Sequence, residues 1–327
     1  MKQRVFSGIQ PSGTLHIGNY LGAIRNWVND QETYDNIFCV VDQHAITVPY
    51  DPSSLKNNVR KVIGLYLAAG LDPEKCTLFV QSHIPEHTEL AWLLTCTTPI
   101  GWLQRMTQFK EKSEGQREKV SAGLFAYPSL MAADILLYQS HGVPVGNDQK
   151  QHVEFARDLA QRFNNLYGET FVVPQPIIPK VGARVMGLDD PTSKMSKSAE
   201  SQWHRVDLLD DPQRITKKFG RAVTDSQKDI VFDAKRPGVF NLLTIYQAIS
   251  EANEETIEAH FSGKGYGDLK REVADLVIAA LEPIQSRYRE ITDDPAYIPR
   301  LLEQSVNRLR PIVDDTMSRV RAAMGFS

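Results

Sequence analysis

Two rhythms of apolar and polar positions alternate along the chain. Short runs rich in β-branched and aromatic residues, "VFSG" near residue 5, "IFCVVD" from Ile37 and "TLFVQS" from Thr77, are apolar at successive positions. They read as strands buried on both faces. Longer stretches of helical spacing follow Gly18 and Pro52. Strand, helix, strand, helix, strand predicts an α/β fold with a parallel sheet and right-handed crossovers. Further on, "PSLMAADILLY" predicts a helix with Pro128 at its first position. "VPVG" (Val143 to Gly146) reads as a short strand and "NDQKQHVEFARDLAQRF" as the next helix. The proline-rich "VVPQPIIPK", Val172 to Lys180, predicts a domain edge. From about Leu188 the patterns are mainly helical, which predicts a second, smaller all-helical domain.

Bulk properties narrow the class less than the pattern does. The 327 residues suffice for one large α/β domain and a smaller one. A net charge of −3 argues against a broadly basic binder, although local Lys/Arg patches can still hold a nucleic acid. Cys39, Cys76 and Cys96 form no CxxC pair, which fits reduced thiols better than a disulfide framework. "MKQRVFSG" lacks a signal-type apolar region and "VIGLYLAAGL" is too short to span a bilayer, so the chain reads as cytoplasmic, with no membrane partner.

The candidate chemistry starts at "SGIQPSGTLHIGN", where three glycines and a proline make a tight turn before a helix. Backbone N–H groups at such a helix start favour phosphate, and His16 and Asn19 can add donors. The turn is neither GxGxxG nor GxxxxGK[ST], so the fingerprint dinucleotide fold and the Walker NTPase are unsupported. Taken alone, glycines serve a tight turn as well as a phosphate. A second stretch, "SKMSKS" from Ser193 to Ser198, puts Lys194 and Lys197 three residues apart, close enough to embrace one polyphosphate. Tyr127, Met131, Asp134 and Tyr138 share one helical stripe, placing a carboxylate among bulky neighbours, where it is costly unless paired. A cap or a salt bridge would account for Asp134 equally well. "TQFKEKSEGQREKVSAG" is polar, basic and glycine-containing, and reads as a mobile loop over a site or as solvated surface. His83 and His87 have metal-like spacing, but Pro85 lies between them and no third ligand is evident, so no metal site is assigned. Trp92 and the other aromatics read as core.

Together, His16-Ile17-Gly18-Asn19 and Lys194 to Ser198 resemble the HIGH and KMSKS signatures of class I aminoacyl-tRNA synthetases. Asn19 replaces the final histidine, as is usual in the tryptophanyl subfamily. "VDQHAIT" (Val41 to Thr47), "RMTQFKEKS" (Arg105 to Ser113), "SLMAADILLY" (Ser129 to Tyr138), "VPVGNDQKQH" (Val143 to His152) and "AVTDS" (Ala222 to Ser226) are similar to the bacterial tryptophanyl-tRNA synthetases. Asn147 and Trp102, where that family commonly has Glu, and Ala199, where Asp is common, depart from the pattern.

The resemblance implies a Rossmann-type catalytic domain over residues 1–186, with C-terminal helices 290–327 packed back on it. Residues 187–289 would carry the KMSKS loop and a helical anticodon-binding domain. It implies activation of L-tryptophan by ATP with Mg²⁺, then transfer to tRNA(Trp), by a homodimer. The resemblance makes Lys112, Lys194 and Lys197 the catalytic charges on the leaving pyrophosphate. It assigns ATP to Gln10, Ser12, His16, Gly18, Asn19, Gly146, Asp148, Met195 and Ser196 beside the two signature lysines. Phe6, Gly8, Tyr127, Met131, Val143 and Val145 would surround the indole, Asp134 would accept its N–H, and His44 and Gln149 would face the polar end of tryptophan. Lys217, Lys218, Arg221, Arg308, Arg310, Arg319 and Arg321 are candidate tRNA phosphate contacts or solvated faces. A tyrosyl-type synthetase, an adenylyltransferase with the same phosphate turn, and a noncatalytic RNA-binding relative are the rival readings. The SLMAADILLY block, the full KMSKS and the intact lysines weigh against them in turn.

Overall fold

A computed structural model describes residues 2–11, 14–106, 121–146, 150–177, 183–197 and 199–326. Its first half is a parallel sheet. Strands β1 (Arg4–Ile9), β2 (Asp35–Val40), β3 (Cys76–Val80), β4 (Gly142–Pro144) and β5 (Gln175–Ile177) lie in the order β3-β2-β1-β4-β5. All four pairings are parallel, with Phe6 opposite Ile37, Gly8 opposite Cys39 and Val5 opposite Gly142. The chain winds one way from β1 to β3 and then returns to the other side of β1. The crevice at the carboxyl ends of β1 and β4 is therefore the topological switch point, where open α/β sheets bind ligands.

β5 falls in the proline-rich stretch that predicts a domain edge instead. Proline suits it, since Pro176 sits on an edge strand, where a missing N–H costs no ladder bond. Two helices bracket the crevice. Helix α1, residues 17–30, contains a π-helical turn at Tyr20–Ile24. Helix α2 (Asp42–Ala45) follows β2 directly. Next come α3 (Pro52–Ala68), α4 (Glu86–Thr97), α5 (Ile100–Gln104), α6 (Ala122–Leu136) and α7 (Lys150–Tyr167). Helix α6 starts six residues before Pro128, contrary to the sequence expectation. Ser121 caps it by accepting the Leu124 N–H, and Pro128 is accommodated inside. The later chain supplies α8 (Pro212–Gly220), α9 (Pro237–Ser250), α10 (Glu254–Phe261), α11 (Tyr266–Asp293) and α12 (Tyr297–Met324). Among the described residues no helix is long and apolar enough to cross a membrane.

Strand alternation feeds two apolar clusters. Ile9, Phe38, Val40, Leu78 and Val80 point to one side and join α3, the signature segments around Leu15 and Met195, and helices α8 to α11 in a single cluster. Phe6, Ile37, Cys39, Val41 and Phe79 point to the other and pack on α4, α6, α7 and the second half of α12. Burial at both sheet faces explains why these strands carry continuous apolar runs rather than strict alternation.

Candidate active site

Strand β1 delivers Phe6, Gly8 and Gln10 to a cavity of about 450 Å³ at the switch point. Val143, Val145 and Gly146 line it from β4 and the segment beyond, Tyr127, Met131 and Asp134 from α6, and His44 from α2. Residues from four separate stretches of sequence thus meet in one mostly apolar chamber. Tyr138 of the same stripe lies beyond the end of α6 and is fully buried behind the wall.

Asp134 is 1% exposed, yet three donors surround it. Gln81 Nε2 (2.6 Å) and His87 Nδ1 (2.7 Å) reach Oδ1, and His44 Nε2 (2.7 Å) reaches Oδ2. Burial alone pushes this carboxyl up, but His44 and His87 together outweigh it, and its pKa lies below the ordinary carboxylate value. The result is an ionised acceptor in an apolar wall. His44 thus lines the cavity and bonds the carboxylate through Nε2. His87, one half of the metal-like pair, has both ring nitrogens engaged, with Asp134 and with the Tyr138 hydroxyl at 2.6 Å. Gln81 and His152, whose Nε2 lies 2.7 Å from the Tyr127 hydroxyl, escape sequence reasoning, as does the tie of His87 to Asp134. Their segments carry no spacing that links them to α6. The only signal was the inclusion of His152 in the "VPVGNDQKQH" block.

The second part of the site lies where the chain leaves β1. His16 precedes α1 and its backbone N–H donates to Asn19 Oδ1 at 3.1 Å. That bond from the third helical residue back to the cap is a local reason for asparagine at the fourth signature position. The helix start is less open than the glycine-rich turn predicts, because Ile17 N–H donates to Val206 O and Asn19 N–H to His16 O. The His16 ring is buried, and its Nδ1 has no hydrogen-bond partner among the described residues. Burial, reinforced by the nearby Lys197 charge, pushes its pKa down to about 4, so the imidazole is neutral near pH 7.

The two signatures touch. A Cβ on Gly18 would meet the His16 ring at 3.0 Å, a tight contact that the ring would have to yield to, and Met195 at an ordinary 3.5 Å. Met195 N–H donates to Val185 O and Gly187 N–H to Ser193 O, folding the KMSKS strand back on residues 185–187. The Met195 side chain is 2% exposed and packs in the core beside the helix start. His204 Nε2 reaches Lys194 O at 3.2 Å while its Nδ1 meets Asp189 at 2.7 Å, and Arg205 Nη1 donates to Lys197 O at 3.1 Å. Neighbouring side chains thus hold the carbonyls of both signature lysines. Burial lowers Lys197 to about 8, with Arg205 adding to the effect and Asp207 opposing it. Ser196 lies within the same segment, whereas Ser12, Lys112, Asp148 and Gln149 lie outside the described residues.

Several cations proposed for RNA phosphate are spent internally. Lys218 is 1% exposed and bonds Asp210 at 2.5 Å. Arg308 donates to Pro73 O and Cys76 O, Arg310 pairs with Glu86, Arg321 with Glu89, and Arg319 reaches Thr170 O. These arginines fasten α12 to the rest of the protein. Lys217 and Arg221 stay on the surface, with the Arg221 guanidinium 4.0 Å from the centre of the Trp203 ring. Trp92, expected in the core, is 68% exposed on α4.

A switch-point cavity with a buried acceptor, beside a histidine-headed helix start and a braced lysine loop, is a site for joining an amino acid to a nucleotide. The model of the class I tRNA synthetases of the tryptophan and tyrosine type matches residues 1–282, and the chain belongs to that family. Relatives described as tryptophan–tRNA ligase align over nearly the whole length. The Wolinella succinogenes protein is 52% identical over 100% of this chain and 99% of its own, and the Caldanaerobacter subterraneus protein 55% over 99% and 98%. The solved tryptophanyl-tRNA synthetase of Mycoplasma pneumoniae superposes with a TM-score of 0.88 at 38% identity, covering 100% of this chain and 99% of that one. The Campylobacter jejuni enzyme, solved with ADP and tryptophan, gives 0.87 at 35%, covering 99% and 100%.

Proposed function

We infer that this chain is a tryptophan–tRNA ligase, which activates L-tryptophan with ATP to tryptophanyl-adenylate and transfers the acyl group to tRNA(Trp), releasing pyrophosphate and AMP. The observation that carries the reading is Asp134, an ionised acceptor on the wall of an apolar chamber that Gln10, just past the end of β1, and Trp27 of α1 also line. The indole N–H donates to this carboxylate, while Phe6, Gly8, Met131, Val143 and Val145 enclose the rings and Tyr127 is held by His152. Phenylalanine lacks that donor, and a site built around one rejects such analogues by about 10⁴–10⁵.

The amino acid's carboxylate is ionised at neutral pH and attacks the α-phosphorus without a general base. An O–P bond forms and the bond to pyrophosphate breaks. The protein's task is positioning and charge neutralisation. Neutral His16 donates to a phosphate oxygen from one nitrogen, and Lys194 and Lys197, with Lys112, meet charge developing on the leaving group. Gln10, Ser12, Gly146 and Asp148 bound the nucleotide, and Gln149 the amino group. In the second step a hydroxyl of the terminal ribose attacks the acyl carbon, the bond from that carbon to the phosphate oxygen breaks, and AMP departs while the hydroxyl proton passes by way of the phosphate to water. Mg²⁺ enters with the ATP phosphates as part of the substrate. The described residues hold no group of three or more His, Cys, Asp or Glu that could cage an ion, so no step is assigned to it.

The division into residues 1–186 with 290–327, and 187–289, is one of role rather than of separate cores, because one apolar cluster runs from the sheet into the later helices. Lys217 and Arg221 are the surface cations nearest to the proposed tRNA role. Trp92 and Ile100, exposed on α4 and α5, suit an isologous homodimer face. The enzyme works in the cytoplasm. ATP–pyrophosphate exchange with tryptophan, tyrosine and phenylalanine tests the reading. Tryptophan alone should support exchange, best exchange with tyrosine would move the specificity to the tyrosyl type, and no exchange at all would leave a noncatalytic relative.

A further inference from the structure

Asp134 can select a donor only if it never becomes one and never turns away, and the residues behind it bear on both conditions. Asp134, Gln81, His87 and Tyr138 are all at most 1% exposed. Burial raises the Tyr138 hydroxyl well above its ordinary pKa, so it keeps its proton. It lies 2.6 Å from His87 Nε2. A buried O–H must find an acceptor, so His87 Nε2 presents its lone pair and the ring proton resides on Nδ1. From there it donates to Asp134 Oδ1 at 2.7 Å. The opposite tautomer would set a lone pair against the carboxylate and crowd two protons between Nε2 and the hydroxyl. Gln81 is oriented by the same logic. Its Oε1 accepts the Gln43 backbone N–H at 3.1 Å, which turns Nε2 toward Asp134 at 2.6 Å.

We propose that His87 and Gln81 are positioning residues for substrate selection, each aimed by a second bond, from the Tyr138 hydroxyl and the Gln43 N–H, so that Asp134 is an obligate acceptor. A carboxylate offers about four lone-pair directions. Gln81 and His87 occupy both on Oδ1 and His44 takes one on Oδ2, which leaves a single direction for a ligand N–H. Specificity is then set three residues deep, behind the wall that the substrate touches. This inference rests on the reading of Asp134 as the indole acceptor.

The test compares tryptophan with β-(benzothien-3-yl)alanine, which has its shape but no ring N–H, in ATP–pyrophosphate exchange. His87→Leu should reduce the ratio of the two kcat/KM values by about 10–100-fold, the worth of a hydrogen bond to a charged group. His87→Asn, whose amide can stand where Nδ1–H stood, should restore most of it. Tyr138→Phe should raise KM for tryptophan more than it lowers kcat. In protein labelled with ¹⁵N-histidine, the resonances lost in His87→Asn identify the ring, which should show the proton on Nδ1 and a pyridine-type Nε2. If His87→Leu does not fold, the asparagine variant and the spectrum decide. A proton on Nε2 alone, or an unchanged ratio in His87→Leu while Asp134→Asn abolishes discrimination, would overturn the positioning role. An unchanged ratio in Asp134→Asn would instead overturn the reading of Asp134 itself.

Discussion

The chamber around Asp134 and the signature segments around His16 and Lys197 solve opposite electrostatic problems. In the chamber, a buried charge is met by three donors on regular elements and their immediate connections. At the signatures, like charges are held near one another. Lys197 is half-buried near Arg205, and His16 has a buried nitrogen without a partner among the described residues. The first has its charge balanced by the protein and asks of a ligand only a fitting shape and one N–H donor. The second pairs Asp207 with Arg205 and leaves Lys194 and Lys197 in excess, a surplus that a polyphosphate can balance. Selecting an amino acid calls for a rigid acceptor, whereas stabilising a leaving pyrophosphate calls for positive charge whose repulsion the substrate relieves.

The sharpest way to break this contrast is to remove the acceptor. Asp134→Ala should lower kcat/KM for tryptophan in ATP–pyrophosphate exchange by about 10³-fold or more and shrink the preference over phenylalanine. KM for ATP should move little. A comparable rise in that KM would mean that the two parts of the site are not separable.

Next in size is the charge deficit. Lys197→Met should slow activation about 10²–10³-fold, the range for one preorganised donor. The pH dependence gives the sign. With a pKa lowered to about 8, Lys197 is charged below pH 8 and loses its charge above it, so kcat/KM for ATP should fall on the alkaline side of 8. Bound polyphosphate favours the ammonium, so the fall should move to higher pH at saturating ATP. The methionine variant should lack this limb, and an unchanged limb would assign it to another group.

The contrast also explains what could be read before folding. Both signatures and the apolar strands are local patterns, so His16, Lys194, Lys197 and the parallel sheet were legible. The company of Asp134 was not, because Gln81 and His87 sit 53 and 47 positions away in sequence and meet it only through the sheet's crossovers. The prolines around Pro176 made an edge strand read as a domain edge. The arginines of α12 resembled a phosphate-binding face because charge periodicity shows where a cation points along a helix but not which carbonyl or carboxylate waits opposite.

Lys218 extends that lesson to stability. Paired with Asp210 in the interior, it is structural, although it stands between Lys217 and Arg221 in a basic-looking cluster. Lys218→Met should destabilise the fold by about 3 kcal/mol, because Asp210 stays buried with the half-exposed Arg214 guanidinium and the Asp207 N–H in place of a buried ammonium. Denaturant unfolding would measure this. Adding Asp210→Leu should recover much of the loss, and KM for tRNA should be unchanged in whatever remains folded.

The smallest effects separate fastening arginines from RNA-binding cations. Arg321 and Glu89 form a two-pronged pair, with both side chains about two-fifths exposed. Arg321→Ala should cost below about 1 kcal/mol, less at high salt, and leave tRNA binding alone. Lys217→Ala should do the reverse, leaving unfolding unchanged while flattening the dependence of tRNA affinity on salt by about one unit of slope. If Arg321→Ala flattened that slope instead, α12 would lie under the RNA, and its pair with Glu89 would open when tRNA binds. Equal slopes in both variants and the parent would place the RNA on neither helix.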